Sequence, residues 1–344
     1  MNEKIENNPL MINEASNSLK ADRDLAMYAL KHDGLSYRNF SEKLKNDNEI
    51  IKLALENNYE AFAYVPENWR NDLKNIFWLL NKNVRSLTVI KENLSDSFKN
   101  DAYSMLALIG NESFWLKYAS EDLKNDKMFA IKVVSNKSEL LGYFSDDIKN
   151  DKDVVTVAVM NNPNSLQYAG PLCKSDVALV TMTLLISVGN ANFSLNYADE
   201  SLRNNEDLAR YAIHISPHYF DQIGENLKQN VEFVFSVLTD SPHIFPQLDS
   251  DMKNHEKIWP IAIKQNFKNF NLLSQDLKND IEVIDWIYKN TDIMPHVNLQ
   301  IGEDLKKEMG SETISEYLQR YNLKKKLENI LPNKDNKDNN KIKI

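Results

Sequence analysis

One tetrapeptide returns along almost the whole chain, and its spacing constrains the fold more than any other feature. Leu44-Lys45-Asn46-Asp47 recurs as Trp69-Arg70-Asn71-Asp72, Phe98-Lys99-Asn100-Asp101, Leu123-Lys124-Asn125-Asp126 and Ile148-Lys149-Asn150-Asp151. Looser copies follow at Cys173, Leu202, Leu227, Met252 and Leu277, with Leu19-Lys20-Ala21-Asp22 before the series and Leu305-Lys306-Lys307-Glu308 after it. The fourth residues are spaced 25, 25, 29, 25, 25, 25, 29, 25, 25, 25 and 28 apart. A fixed period of this size is the mark of a repeat architecture, in which each unit needs its neighbours to bury its apolar face. Every fourth unit is longer by roughly one helical turn. The result is a second-order period of 104 residues between Asp101 and Asn205, and 103 between Asn205 and Glu308.

Each unit reads as two short helices. Counting from the fourth residue as zero, offsets 3, 4, 7 and 8 are apolar. Examples are Ile50, Ile51, Ala54 and Leu55, and Val154, Val155, Ala158 and Val159. That is one face of an amphipathic helix. Gly34, Pro163, Pro217 and Pro242 break the chain at offset 12, and a Leu-x-Tyr-Ala element follows at Leu116, Leu166 and Leu195. The tetrapeptide is the punctuation: its apolar residue packs inward. The basic residue complements the negative end of a helix. Asn is expected in the left-handed conformation of a C-terminal cap. Asp or Asn then caps the next helix. Helices of about ten residues are not stable alone in water, so they must stack. The expected fold is all-α: an α-solenoid of about eleven 25-residue two-helix repeats, every fourth lengthened to 28–29. The array is expected over residues 13–321, as four-unit blocks between a tail at 1–12 and a basic, Asn/Lys-rich disordered tail at 322–344. Any subdivision belongs at the long units near 72–101 and 176–205.

The pattern Leu-Lys-Asn-Asp, an amphipathic helix, then Leu-x-Tyr-Ala resembles the helical repeat called domain of unknown function 4116. Residues Leu116 to Val159 carry it best, and weaker copies run from Leu19 to Glu308. The long units and the units after Asn230 depart from it. The resemblance implies a repeat scaffold with no catalytic residues to carry over. It also implies a host-associated bacterial or phage setting, where an effector or inhibitor would be at home.

Composition narrows the chemistry. One cysteine, Cys173, excludes an intramolecular disulfide framework and a multi-cysteine zinc site. It sits where other copies have a large apolar residue, which reads as a buried thiol. The formal charge is −9, and residues 322–344 alone carry seven Lys against three acids. The remainder is therefore strongly acidic, which favours a protein partner with a basic surface. The recurring Lys/Arg ladder offers an alternative, a polyanion or nucleic-acid binder, but helix capping and pairing with the acidic or polar residue two places on explain it more simply. A third reading is an enzyme with its site at the long repeats. No nucleotide loop, catalytic triad cue or paired-carboxylate signature supports one, and His255 opens a zincin-like stretch with Trp259 where the second His belongs. No cofactor or metal is expected.

The candidate partner-binding residues are Trp115 and Trp286, as interface anchors, and His218 with His243, which share offset 13 in consecutive units. No apolar h-region opens the chain. Val177 to Gly189, the longest mostly apolar run, is shorter than the ~20 residues of a membrane span and reads as a buried core helix. A cytoplasmic protein, or one exported into a host cell without a Sec-type signal, is the expectation.

Overall fold

The computed structural model describes residues 9–188, 193–291 and 300–330. It contains two compact units, Met1–Cys173 and Lys174–Ile344. Each is a stack of the same all-helical repeat, and the described residues contain no strand.

Three short elements make up a standard unit, not two. A ten-residue α-helix such as Asn48–Asn57 or Lys152–Asn161 comes first. A six-residue 3-10 helix follows, as in Tyr59–Tyr64 and Pro163–Tyr168. A single α-turn closes the unit, as in Glu67–Arg70 and Glu121–Lys124. The second helix expected from sequence is thus divided. The chain turns twice in the space of one helix, so the 3-10 residues and the α-turn can both point their apolar residues at one core.

The residues dictate these elements. Offsets 3, 4, 7 and 8 are buried in the long helices: Ile50, Ile51, Ala54 and Leu55, then Phe233, Val234, Val237 and Leu238. Pro163, Pro217 and Pro242 each occupy the first turn of a 3-10 helix, where a missing N–H costs nothing. The opening residue of the tetrapeptide is buried at Leu44, Phe98, Ile148, Cys173, Leu202 and Met252. Its fourth residue is the N-cap. Asp126 accepts from the Phe129 N–H at 2.6 Å, Asp176 from Leu179 at 2.8 Å and Asn205 from Leu208 at 2.9 Å. His255 breaks the series. An imidazole caps less well than a carboxylate, and the helix behind it, Ile258–Gln265, starts late and is two residues short.

Asn in the third place works differently from expectation. Among the described residues no non-glycine residue has positive φ. Asn46, Asn100 and Asn150 lie near φ −100°, ψ 0°, and the side chain does the linking. Its amide donates back to the carbonyl four residues earlier, as Asn150 does to Asp146 at 2.9 Å. Its oxygen accepts from the next unit. The Ser120 hydroxyl donates to Asn100, and the Leu172 N–H to Asn150 at 3.0 Å. A backbone bond runs alongside: Ser120 N–H to Lys99 O at 3.0 Å, Gly170 to Lys149 at 2.7 Å, and, in the second unit, Gly224 to Arg203 at 2.8 Å. A Cβ at Gly224 would lie 1.9 Å from Asn204 Oδ1, so glycine there lets the staple close.

The ends of the array differ from the expected boundaries. Pro9–Glu14 is a 3-10 helix with Ile12 fully buried, so the first repeat begins before residue 13. Ile314–Ile330 is a 17-residue helix, so residues 322–330 are ordered and helical. It closes on the last long helix, Ile281–Asn290: Lys325 pairs with Glu282 at 2.8 Å, and Asn322 donates to Asp285 at 2.9 Å. The tail from 331 lies outside the described residues.

In the first long unit the extra residues extend the middle element into a short 3-10 turn, Val84–Ser86, and a seven-residue α-helix, Leu87–Asn93. In the other two, residues 189–192 and 292–299 of the connection lie outside the described residues. The apolar run reads differently in place. Val177–Ile186 is a helix with Leu179, Val180 and Leu184 buried, but Val177, Leu185 and Val188 are exposed. No described helix is long and apolar enough to cross a membrane.

The capping carboxylates give the fold a pH dependence. Backbone hydrogen bonding by Met252 and a bond from Gln229 hold Asp249 below the ordinary carboxylate range, and bonds from Ser201 do the same for Asp199. A depressed native pKa contributes stability above the unfolded pKa of about 4 and loses it as pH falls through the native value. Thermal unfolding followed by circular dichroism should show a level midpoint from pH 7 to 5 and a steep fall below pH 4.

Candidate functional site

The Lys/Arg ladder is the most regular polar feature, and the structure shows how several of its rungs are held. The ladder residue ends an α-turn, and its ammonium folds back across that turn. Lys124 Nζ donates to Lys117 O at 3.2 Å, Lys228 to Asp221 O at 2.7 Å, Lys278 to Asn271 O at 2.7 Å and Lys20 to Asn13 O at 3.0 Å. Each reaches seven residues back, to a carbonyl at the end of the 3-10 helix. Lys278 is buried, and that burial pushes its pKa down.

Six ladder lysines pair with an acid three residues before them, not two after. The pairs are Lys45–Glu42 at 3.1 Å, Lys99–Asp96 at 3.8 Å, Lys124–Glu121 at 2.9 Å and Lys149–Asp146 at 2.7 Å in the first unit. Lys228–Glu225 and Lys306–Glu303, both at 2.8 Å, repeat the arrangement in the second. The hydrogen bond from Lys149 holds the Asp146 carboxyl below its ordinary range, and Lys306 does the same for Glu303.

The two partners of a rung are not equally accessible. The side chains of Lys45, Lys99, Lys124, Lys149 and Lys228 are 17–26% exposed, whereas those of Glu42, Asp96, Glu121, Asp146 and Glu225 are 75% exposed or more. Carboxylates stand outermost with lysines folded beneath them. Within the first unit the backbone bonds between successive turns, Ser120 to Lys99 and Ser145 to Lys124, hold neighbouring rungs side by side. The basic ladder therefore presents an acidic face. The signal was in the sequence: Ser-Glu, Ser-Asp, Gly-Glu or Pro-Glu opens most α-turns, three residues before the basic position. It is easily passed over, because acids in a first helical turn are also ordinary dipole partners.

The four candidates read from sequence do not converge on this face. Trp115 is fully buried, against Phe114 at 4.9 Å and Tyr118 at 5.9 Å between ring centroids. The expectation of an exposed anchor does not hold there. Offset 14, next to the buried Leu116, points into the core, as Ala61, Leu140 and Ile244 do at the same offset. Trp286 lies at offset 6, half-buried, edge-on to Trp259 at 4.9 Å with the Lys264 ammonium 5.4 Å from its ring. His218 and His243 are both exposed. No group of three metal-ligating side chains gathers among the described residues. Of the tyrosines of Leu-x-Tyr-Ala, Tyr168 is exposed and Tyr118 and Tyr197 are half-buried.

The comparison with known families follows the same unit. The model for Domain of unknown function (DUF4116) matches residues 1–45, 22–70, 105–148 and 129–172. Residues 1–70 and 105–172 are thus similar to the DUF4116 repeat. A DUF4116 match covers about two of the 25-residue units, and the matches form two pairs whose members overlap by about one unit. The first long unit falls between the matched stretches, and the matches end at 172, although the same three-element unit continues structurally beyond Lys174. No curated protein and no solved structure matches the chain.

Proposed function

We propose that this helical-repeat protein binds another protein that presents a basic surface, and that the ladder face is where it does so. The observation that carries this reading is the inverted exposure of the rungs at Lys45, Lys99, Lys124, Lys149 and Lys228. A partner approaching the face meets carboxylates first. The lysines below are already engaged by a carboxylate and, at Lys124 and Lys228, by a carbonyl. A field of repeated, exposed like charges steers an oppositely charged partner and fixes its register, more than it supplies raw affinity. A repeat stack suits this role, because each unit adds one rung at a fixed spacing.

The same geometry weighs against a polyanion binder. A phosphate chain would have to displace the outer carboxylates before reaching the ladder. Fluorescence anisotropy with a labelled single-stranded RNA 20-mer tests the choice. The proposed reading expects no saturable binding at 50 mM salt. It also expects that crosslinking in a lysate captures a protein partner whose contact surface is rich in Lys and Arg. Salt-sensitive RNA binding, lost when Lys99, Lys124 and Lys149 become Gln, would reverse the assignment.

A further inference from the structure

Two grooves open at equivalent places, one in each unit. In the first, Leu106, Ile109, Gly110, Val133, Asn136 and Lys137 border a groove of about 260 Å³. In the second, Ile213, His214, Val237, Asp240 and Ser241 border one of about 330 Å³. Ile109 and Ile213, Gly110 and His214, Val133 and Val237, Asn136 and Asp240, and Lys137 and Ser241 are all separated by 104 residues. That is the second-order period of the sequence, now with a matching surface feature. Both grooves follow a long unit.

What differs is how the carbonyl at the end of the preceding helix is satisfied. In three steps a side-chain donor crosses from the next unit to reach it. Asn57 Nδ2 donates to Lys31 O at 2.9 Å, Asn161 Nδ2 to Val134 O at 3.4 Å and Gln265 Nε2 to Leu238 O at 3.1 Å. These three donors share offset 10. In the first groove Lys137 does it, its ammonium 2.8 Å from Ile109 O. In the second groove offset 10 is Asp240, which cannot donate, and Lys137 is replaced by Ser241. Pro217, four residues after Ile213, has no N–H to offer. Among the described residues no hydrogen bond reaches the Ile213 carbonyl. Asp240 also ends its own helix, Val231–Asp240, where a carboxylate opposes the helix dipole. A negative helix end, an unpaired carbonyl and a carboxylate thus face one groove. Arg210 also lines this groove, its guanidinium engaged by Glu206 at 2.6 Å and lying 5.1 Å from the Phe233 ring.

We infer that the groove beside Asp240 receives a lysine or arginine side chain of the protein partner. Its N–H groups donate to Ile213 O and to the Asp240 carboxylate, and its aliphatic stem lies along Ile213 and Val237. The chain supplies its own precedent, since Lys137 places an ammonium on the equivalent carbonyl in the first unit. This inference rests on the reading that the partner is a basic protein, and it names one contact of that partner.

The test uses the full chain and two small probes, N-acetyl-arginine amide and its neutral isostere N-acetyl-citrulline amide. Amide resonances of His214, Ile215, Asp240 and Ser241 should shift saturably with the arginine probe and not with the citrulline probe. Asp240→Asn installs the residue found at offset 10 in Asn57 and Asn161. It should abolish the arginine response and, by closing the staple, raise the unfolding midpoint by about 2–4 °C. Equal shifts with both probes, no shifts in the groove, or an Asp240→Asn protein that keeps the arginine response would overturn the assignment. Shifts confined to the residues around Glu42, Asp96, Glu121 and Asp146 would also overturn it while leaving the basic-partner reading intact. Groove binding without capture of any basic protein would count against that reading alone.

Discussion

Trp115→Ala should lower the unfolding free energy by about 3–5 kcal/mol, the range for removing a large aromatic side chain from a packed core. Trp115 is fully buried and packs on Phe114 and Tyr118. In a repeat stack such a loss is felt by the units on either side, because each unit is stable mainly through its neighbours. Trp115→Phe should cost much less. It keeps most of the apolar area, and the indole N–H it removes has no hydrogen-bond partner in the protein. Trp286→Ala, at a half-buried position, should cost under about 2 kcal/mol. Urea unfolding of the three variants checks the order. Equal losses at Trp115 and Trp286 would mean that Trp115 is not a core residue.

The second large effect concerns the end of the chain. Ending the protein at Gly310 removes the helix Ile314–Ile330, with its buried Tyr317 and Leu318. It also removes the bonds from Tyr321, Asn322 and Lys325 to Glu282 and Asp285. Two buried side chains at about 1.5–3 kcal/mol each put the loss near 3–6 kcal/mol. Repeat arrays need an atypical end unit to close the last apolar face. Amide exchange in Ile281–Asn290 should therefore accelerate strongly in the truncated protein. Unchanged protection there would show that the helix is not a cap.

Much of this fold was legible in the sequence, and the reasons are local. The spacing of the tetrapeptide, the apolar offsets 3, 4, 7 and 8, and the Asp or Asn cap all act within one unit, so periodicity reveals them. The 3-10 element was not legible. Leu-x-Tyr-Ala reads the same for a 3-10 helix, an α-helix or a turn, and only the packing of Trp115, Leu116 and Ala119 on neighbouring units decides. Asn at the third place was assigned a backbone role because left-handed caps are common. Its true partners, such as Ser120 and Leu172, are 20 and 22 residues away. The exposure of the ladder was hidden for the same reason. Lys124 and Glu121 look equivalent in sequence, and only the fold of the α-turn buries one beneath the other. Residues 322–330 read as a tail because Lys and Asn dominate there, while the residues that hold the helix down, Glu282 and Asp285, lie about 40 positions upstream.

On the proposed reading, the ladder face acts through its carboxylates. The most direct measurement compares the affinity of the crosslinked partner for three proteins: the native chain, a variant with Glu42, Asp96, Glu121 and Asp146 changed to Gln or Asn, and a variant with Lys45, Lys99, Lys124 and Lys149 changed to Gln. Only the carboxylate of each pair is exposed, where an ion pair contributes about 0–1 kcal/mol to folding, so circular dichroism of both variants is compared with that of the native chain before affinities are read. Binding through the carboxylates gives at least a tenfold loss of affinity in the carboxylate variant and equal or tighter binding in the lysine variant. Loss of binding in the lysine variant with the carboxylate variant unaffected would contradict it.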